Sequence, residues 1–359
     1  AGNYVIKGKY TPCSGVSFPN QNLRDVLIEV HQIAYNFEYV LDRNLFRECK
    51  LLEYVNMKNW NCDGKYYSAM SEAFVDCTSL RTVIADNVKF NNSNDIFNLF
   101  SGCRSLETIQ GIETWDISKV TDVSYLFRNC SSLTTVDLSG WDTSNINKVV
   151  GMFYGCSSLN SLDMSHFDIS NVTDLGDMFN GCSSLSYLNI TGWDFKNVTK
   201  AASMFSNVGL KTIDTSTWLN ANNITNFTNF CNVATTEYIT LTFSGSMWAV
   251  MHNCQNVKHV TWKNCTVSIE NYSFPSYGNA KKAKWQITFD NAVISAENGT
   301  LGVLNYYNHL TVESLMSVIN ALADRTGMDS DTLTLGSAHL AKLTPEQIKI
   351  ATDKNWTVV

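Results

Sequence analysis

Residues 156–181 read CSSLNSLDMSHFDISNVTDLGDMFNG, and this 26-residue stretch decides the fold. The stretch before it, 130–155, and the one after it, which begins at Cys182, repeat its opening Cys-Ser-Ser-Leu and its closing Met-Phe. Cysteines recur at steps of 26 to 28 residues: Cys49, Cys77, Cys103, Cys130, Cys156 and Cys182. A nearly constant step of this length is typical of a solenoid, in which each repeat forms one coil.

Each unit combines a strand pattern with a second apolar pattern. The run that begins at Leu159 has the Leu-x-x-Leu-x-Leu form, which is the strand half of a leucine-rich repeat. Leu175, Met178 and Phe179 follow at helical spacing, so the sequence predicts a helical turn there, with Thr173 as its N-cap. No single coil can bury its own apolar face, and we therefore predict that the coils stack with leucine, cysteine and phenylalanine inside.

These patterns predict an α/β repeat solenoid, namely a right-handed leucine-rich repeat stack with a C-terminal α/β cap. We expect an N-terminal segment and capping repeat at 1–48, followed by the solenoid at 49–300. The solenoid should be regular over 49–215 and degenerate over 216–300. Residues 301–359 change character, and because a solenoid end exposes apolar side chains, we interpret this segment as the cap that covers them.

Two helices are predicted near the C-terminus. An amphipathic helix should lie between Thr311 and Arg325. The last helix should begin after Thr344, whose hydroxyl can cap the first turn, with Pro345 at the first helical position. Weaker strand patterns, which extend the repeat in both directions, lie at 23–28, 238–243, 254–262 and 285–289.

The repeat resembles a known family. The motif Cys-Ser-Ser-Leu-x-x-Leu-Asp-Leu-Ser-x-Trp-Asp-x-Ser-Asn-Val-Thr-x-x-x-x-Met-Phe-x-Gly, nearly intact at 130–155, 156–181 and 182–206, is similar to the BspA-like, Treponema-type leucine-rich repeats. The resemblance is strong over 49–215 and extends in degenerate form over 20–300. It implies a surface-exposed protein that acts in adhesion to host matrix or other cells, without catalytic residues, and it implies no particular ligand.

Composition and charge exclude several classes of partner. The chain has 26 basic and 33 acidic residues and a formal charge of -7, so it has no basic surface for nucleic acid or an anionic membrane. Its apolar runs are shorter than the ~18 to 20 residues that span a bilayer. The six histidines are dispersed, without zinc-ligand spacing. We therefore expect no nucleic-acid partner, no membrane span, no metal and no cofactor.

The candidate site is the outward face of the predicted strands. Residues between the leucines should point outward, where hydroxyls, amides, carboxylates and a tyrosine ring can hydrogen-bond a glycan or a protein loop. The predicted ligand-binding residues are Thr135, Asp137, Asn160, Asp163, Tyr187, Asn189 and Lys211. A plain solvated strand face without a dedicated site is the alternative.

The aspartates of the repeat suggest two further kinds of site. Asp137, Asp163 and Asp214 share one column, which could suggest calcium or the paired carboxylates of a glycosidase, but Asn189 interrupts the column. We predict no catalytic residue. The aspartates after Trp or Phe should instead bond backbone N–H groups at the corner that follows the strand, as short Asx side chains do: Asp116, Asp142, Asp168 and Asp194.

The repeated cysteines should be buried, free thiols that pack as small apolar groups. A disulfide between neighbouring coils is the alternative, because the spacing of coils is close to the Cα separation that a disulfide needs. A column of equivalent cysteines would pair ambiguously, which favours the free thiols.

These features lead to three hypotheses about function. The first is a non-enzymatic leucine-rich repeat protein on the bacterial cell surface, which binds a protein or glycan of a host or neighbouring cell along its strand face. The second is a phage virion component, a tail or head appendage that binds a receptor and other virion proteins; a start without a signal peptide or lipidated cysteine, together with reduced thiols, favours it. The third, a carbohydrate-active enzyme, requires clustered carboxylates with perturbed pKa values, which the repeat does not supply.

Overall fold

The computed structural model describes these residues: 4–7, 27–31, 46–60, 62, 70–90, 95–232, 235–246, 257–268, 286–295, 300–301, 310–328, 330–335 and 337–359. They form a parallel β-solenoid of about nine turns, with small helices near the C-terminus, as the repeat predicts. The chain divides into two compact units, Ala1–Val198 and Thr199–Val359. The segment boundaries proposed from the sequence stay predictions.

The first unit contains short parallel strands, one for each of several coils. The strands are β1 (Tyr4–Lys7), β2 (Leu27–His31), β3 (Tyr54–Asn56), β4 (Thr82–Ile84), β5 (Thr108–Gln110), β6 (Ser161–Asp163) and β7 (Tyr187–Asn189). Strands β1 to β5 form one sheet in chain order, and β6 pairs with β7. The register places residues one repeat apart side by side, so that Ser161 lies opposite Tyr187. A 3-10 helix, Ile112–Thr114, follows β5.

The second unit carries three parallel sheets and the C-terminal helices. Its strands are β8 (Thr212–Asp214), β9 (Tyr238–Leu241), β10 (Gly245–Ser246), β11 (His259–Lys263), β12 (Thr266–Ser268), β13 (Gln286–Asp290), β14 (Val293–Ser295), β15 (Thr300–Leu301), β16 (Asp331–Leu333) and β17 (Trp356–Val358). The sheet orders are β13-β11-β9-β8, β10-β12-β14 and β15-β16-β17. The helices are a 3-10 helix, Ala221–Asn223, then α1 (Val312–Ala321), α2 (Ser337–Leu340) and α3 (Pro345–Asp353).

The second unit confirms several predicted elements. Strand β9 lies within the pattern at 238–243, β11 overlaps the one at 254–262, and β13 overlaps the one at 285–289, although Trp285 itself lies outside the described residues. The hydroxyl of Thr311 caps α1, which ends at Ala321, earlier than the predicted end. Thr344 and Gln347 form a complete capping box at the start of α3.

The core of the first unit consists of stacked columns of equivalent side chains. The column leucines Leu52, Leu80, Leu106, Leu133, Leu159 and Leu185 are all fully buried. The phenylalanines form a second column, in which ring centroids are 5.2 Å apart between Phe46 and Phe74 and 5.5 Å apart between Phe127 and Phe153. Because each ring stacks on the ring of the neighbouring coil, the apolar face of one coil is buried only by its neighbours, as predicted.

The cysteine column adds a hydrogen bond to this packing. The thiol of Cys156 donates to the carbonyl of Phe127 in the preceding coil at 3.0 Å, and the backbone N–H of Cys130 donates to the same carbonyl at 3.0 Å. The thiols of Cys77, Cys103, Cys130 and Cys182 donate to the equivalent phenylalanine carbonyls at 3.0 to 3.1 Å. These five cysteines are buried free thiols, which confirms that expectation.

The second half of each repeat is not a helix. The N–H of Met178 donates to the carbonyl of Leu175 at 3.3 Å, while the carbonyl of Met178 accepts from the N–H of Phe153 in the preceding coil at 3.0 Å. Asp177 and Gly181 have left-handed backbone, with φ of 57° and 80°. This segment is therefore a series of turns tied to the neighbouring coil, and the helical turn predicted there is wrong.

The left-handed residues explain why the helical prediction fails. The residue before each repeated cysteine has a φ between 56° and 80°: Glu48, Asp76, Gly102, Asn129, Gly155 and Gly181. A left-handed residue interrupts an α-helix, and glycine, asparagine and aspartate tolerate it best. Without a helix, the N-cap predicted at Thr173 is also wrong.

Polar side chains hold the corners together. The amides of Asn145 and Asn171 donate to the carbonyls of Ser118 and Ser144 in the preceding coil, both at 2.8 Å. The aspartates after Trp or Phe each accept the N–H two residues on, at 2.8 to 3.3 Å, which confirms the corner role predicted for Asp116, Asp142, Asp168 and Asp194.

Candidate functional site

A groove of about 580 Å³ lies in the first unit, on the outward side of three consecutive coils. Its volume is within the range of roughly 300 to 1,000 Å³ that is usual for ligand pockets. The side chains most relevant to binding along its wall are Thr135, Asp137, Ser161, Asp163, His166 and Tyr187. The groove is therefore the place where the predicted strand-face residues come closest to forming a site.

Strand alternation aims the side chains of β6 and β7 outward, whereas Thr135 and Asp137 lie in the segment 133–138, where the predicted strand does not form. In β6, Leu162 is buried, while Ser161 and Asp163 on either side of it face the groove. Tyr187 is the first residue of β7 and lies opposite Ser161 in the neighbouring coil. The Leu-x-x-Leu-x-Leu pattern thus places alternate polar residues of consecutive coils on one surface.

The two groove carboxylates are fixed by short-range hydrogen bonds. Asp137 Oδ1 accepts the backbone N–H of Ser139 at 2.9 Å. Asp163 Oδ1 accepts both the backbone N–H and the hydroxyl of Ser165, at 2.9 and 2.7 Å. These bonds stabilise the ionised form and lower the pKa of both aspartates. Both groups are therefore charged at neutral pH and held in one orientation.

Asn189 continues the same column as an amide. Its Oδ1 accepts the N–H of Thr191 at 3.1 Å, which is the bond that the aspartates make in the earlier coils. Its Nδ2 donates to Asp163 Oδ2 at 3.2 Å. Asparagine is therefore a natural substitute for aspartate at this position, since it keeps the turn and removes the charge.

Tyr187 presents the large apolar surface of the groove. Tyr187 is 56% exposed, whereas the phenylalanines of the core column are buried. An exposed aromatic ring beside carboxylates and hydroxyls provides a platform for a sugar ring or a cation.

Sequence reasoning missed His166, which also lines the groove. Its Nε2 donates to the carbonyl of Leu138 at 2.7 Å. In neighbouring coils the equivalent carbonyl receives an indole N–H, as when Trp141 Nε1 donates to Ile112 at 2.8 Å. Phe167 occupies the tryptophan position in this coil and has no N–H. The exchange of Trp for Phe was the sequence signal that another donor was needed.

The structure separates the seven predicted site residues into two groups. Thr135, Asp137, Asp163 and Tyr187 all line the groove. The other three do not line it: Asn160 is exposed, Asn189 is half-buried, and Lys211 is exposed in the second unit. A ligand-binding role for any of the seven stays a prediction.

Among the described residues, no group of three or more His, Cys, Asp or Glu side chains is arranged to hold a metal ion. In the same part of the chain, no helix has the length and apolarity needed to cross a bilayer.

Comparisons with known proteins give one family and several solved structures. The family model described as "Mycoplasma protein of unknown function, DUF285" matches residues 41–136, 94–218 and 132–241, which together span more than half of the chain. No curated protein matches. A leucine rich cell surface protein from Faecalibacterium prausnitzii A2-165 is 13% identical, with 99% of this chain and 88% of that chain covered and a TM-score of 0.36.

Two other solved structures are leucine-rich repeat proteins. One, from Bacteroides ovatus ATCC 8483, is 13% identical, with 74% of this chain and 84% of that chain covered and a TM-score of 0.21. The other, from Leptospira interrogans, is 11% identical, with 99% of this chain and 100% of that chain covered and a TM-score of 0.22.

Proposed function

The chain belongs to the family described as "Mycoplasma protein of unknown function, DUF285", and from this premise we propose that it is a non-enzymatic, surface-displayed repeat protein that binds a protein or glycan along its strand face. Its repeats are of the BspA-like type, whose Cys-Ser-Ser-Leu motif they share. The groove around Asp137, Asp163 and Tyr187 is the observation that carries the proposal.

The rigidity of the groove supports a binding role. Asp137 and Asp163 are oriented by hydrogen bonds to backbone N–H groups, and β6 and β7 hold Ser161 beside Tyr187. A ligand would therefore meet groups that are already ordered, and binding would cost less conformational entropy than it would on a flexible surface.

The pKa values of the two carboxylates support a role without catalysis. Glycosidases use one carboxylic acid whose pKa is raised, so that it can donate a proton near neutral pH. Hydrogen bonds from Ser139 and Ser165 move the pKa values of Asp137 and Asp163 in the opposite direction. Neither aspartate is thereby suited to act as a general acid.

We place the protein outside the cell, on a bacterial surface, with its partner on a host or neighbouring cell. This setting follows from the resemblance of the repeat motif to surface-exposed proteins. The virion setting stays a prediction, because no feature of the groove or the family favours it.

Binding assays on the full chain test the proposal. The purified protein and its Tyr187→Thr variant are applied to a glycan array and to immobilised matrix proteins. Threonine is the natural residue at the equivalent strand position in β4 and β5, so the fold should tolerate it. We expect at least one probe to bind the unchanged protein. The same probe should bind the variant about tenfold more weakly, because the variant lacks the aromatic contact of Tyr187.

Tyr54→Thr is the matched control for this assay. Tyr54 is the first residue of β3, as Tyr187 is of β7, and it lies outside the groove. The control should bind like the unchanged protein. Absence of binding to every probe, or equal binding by Tyr187→Thr, would overturn the proposal.

A further inference from the structure

The second unit contains a small site in which a tyrosine, a carboxylate and a lysine meet. The ammonium of Lys258 lies 6.0 Å from the ring centroid of Tyr238 and 2.6 Å from Oε2 of Glu237. Their hydrogen bond lowers the pKa of Glu237 and raises that of Lys258. The chain thus uses an exposed tyrosine at the start of a strand, with a carboxylate beside it, to hold a cation.

The first unit repeats the arrangement of tyrosine and cation on its turn side. The guanidinium of Arg128 lies 5.8 Å from the ring centroid of Tyr125 and 5.6 Å from that of Tyr154 in the next coil. Cationic groups therefore lie over tyrosine rings at two places, and in both a cation contacts a tyrosine of a neighbouring coil.

The groove has the ring and the carboxylates but, among the described residues, no lysine or arginine. Tyr187 begins β7 as Tyr238 begins β9, and Asp163 lies in the adjacent strand β6. In the part of the first unit that the structure describes, no lysine ammonium or arginine guanidinium lies over the Tyr187 ring.

The charge of the groove favours a positive ligand. Asp137 and Asp163 occupy equivalent positions in consecutive coils and both line the groove, so two negative charges face it. His166 also lines the groove, and its Nε2 donates to the Leu138 carbonyl. A cation from outside would be attracted by both carboxylates.

We propose that the groove binds the ammonium group of a lysine side chain from a partner protein, with the Tyr187 ring on one side and the carboxylates of Asp137 and Asp163 on the other. The inference rests on the proposed function and deepens it by naming the chemistry of the ligand. A lysine is favoured over an amino sugar because Lys258 makes contacts of the same kind within this chain, with a tyrosine ring and a carboxylate.

Calorimetric titration of the full chain with hexalysine tests the inference, with fully acetylated hexalysine as the uncharged probe. The test variants are Tyr187→Thr and the double change Asp137→Asn with Asp163→Asn, which keeps both turns as Asn189 does. Asp142→Asn is the control, because Asp142 forms the same type of turn with Ser144 outside the groove.

We expect hexalysine to bind and its acetylated form not to bind. Each test variant should weaken binding about tenfold, and the control by less than about twofold. Added salt should weaken the binding, since exposed charges are screened. Equal weakening in the double variant and the control would show attraction to the net charge alone and would overturn the inference, as would a lack of hexalysine binding.

Other probes separate this inference from the broader proposal. A neutral cello-oligosaccharide that binds through Tyr187, with the aspartate variants unaffected, would overturn the lysine inference and leave strand-face binding standing. A glucosamine oligomer that binds more tightly than hexalysine and loses affinity in the same variants would replace the protein partner with a glycan. Failure of every protein and glycan probe to depend on Tyr187 would overturn both.

Discussion

The thiols of the cysteine column are protected by their burial. Cys77, Cys103, Cys130 and Cys156 are fully buried, and removal from water raises their pKa well above the usual value of 9.0. The same effect raises the pKa of Cys182 to about 12. Because the thiolate is the reactive form, these cysteines should resist oxidation and alkylation as long as the coil stays folded.

We predict that the free energy of unfolding falls as pH rises above about 9. In the pH range between the two pKa values, thiols in the folded protein keep their protons while thiols in the unfolded chain lose them. The stabilisation is therefore complete below the thiol pKa of the unfolded chain, and it is lost as the pH rises toward the thiol pKa of the folded protein. Each buried thiol contributes a slope of about 1.4 kcal/mol per pH unit in this window. Urea denaturation between pH 8 and 10.5, in the presence of a reductant, measures it.

Cys156→Ser is the control for the alkaline effect. Serine can donate to the Phe127 carbonyl as the thiol does, but it has no ionisation in this range. The variant should lose the slope of one thiol and keep that of the remaining cysteines. A slope identical to that of the unchanged protein would contradict the assignment.

Individual groove residues differ in how far the sequence could predict them. The outward direction of Asp163 and Tyr187 follows from strand alternation, which depends only on neighbouring positions. Asp137 is exposed at the equivalent position although no strand forms there. His166 could not be placed from its own position, because its bond depends on the missing indole of Phe167 and on a carbonyl 28 residues earlier. Contacts between coils can be predicted only when the register in which the coils stack is known. The sequence of a single repeat does not contain that register.

At the scale of elements, the turn half of the repeat shows the limit of periodicity. Leu175, Met178 and Phe179 have helical spacing because all three point into the core, and a series of turns satisfies that requirement as well as a helix does. Asp177 and Gly181 carry the distinguishing signal, since both tolerate left-handed backbone. The strand half was predictable in β6 and β7, because the alternation of apolar and polar residues agrees there with the pairing of the two strands.

A glycine precedes the tryptophan at the corner after the strand in two coils, and substitutions there test how closely neighbouring coils approach. A Cβ added at Gly140 would overlap the Glu113 carbonyl of the preceding coil. At the equivalent Gly192, the added Cβ would come no closer than 3.8 Å to the carbonyl oxygen of Ser165, although the φ of 91° is left-handed. We predict that Gly140→Ala lowers the free energy of unfolding by about 2 to 3 kcal/mol, through crowding of the backbone.

Gly192→Ala is the matched variant and carries only the backbone strain. It should lower the free energy of unfolding by about 1 kcal/mol. Urea denaturation of the two variants side by side compares them. An equal or smaller loss in Gly140→Ala would contradict the close approach of the two coils at this corner.

At the scale of the whole molecule, the repeat implies that a coil can be removed. Deleting residues 157–182 joins Cys156 to Ser183 in register, because the two coils share the same columns. Deleting 104–130 joins Cys103 to Ser131 in the same way and leaves every groove residue in place. Interactions in a solenoid are between neighbours, so each shortened chain should keep its fold.

We predict that both deletions unfold cooperatively, with thermal midpoints within about 10 °C of the full chain. Only the deletion of 104–130 should retain hexalysine binding, because the other removes Asp163 and His166. Circular dichroism and calorimetry provide the two measurements. A shortened chain without a cooperative transition would show that the coils depend on more than their immediate neighbours.

Three sets of side-chain hydrogen bonds between coils, from the column thiols, the indoles and the corner asparagines, run from a later coil to an earlier one. The Cys130 thiol donates to Phe100, the Trp141 indole to Ile112, and the Asn145 amide to Ser118. A ribosome releases the acceptor in each case before it has made the donor. For these three sets of bonds, translation thus delivers each new donor side chain onto a coil whose accepting carbonyls have already been made.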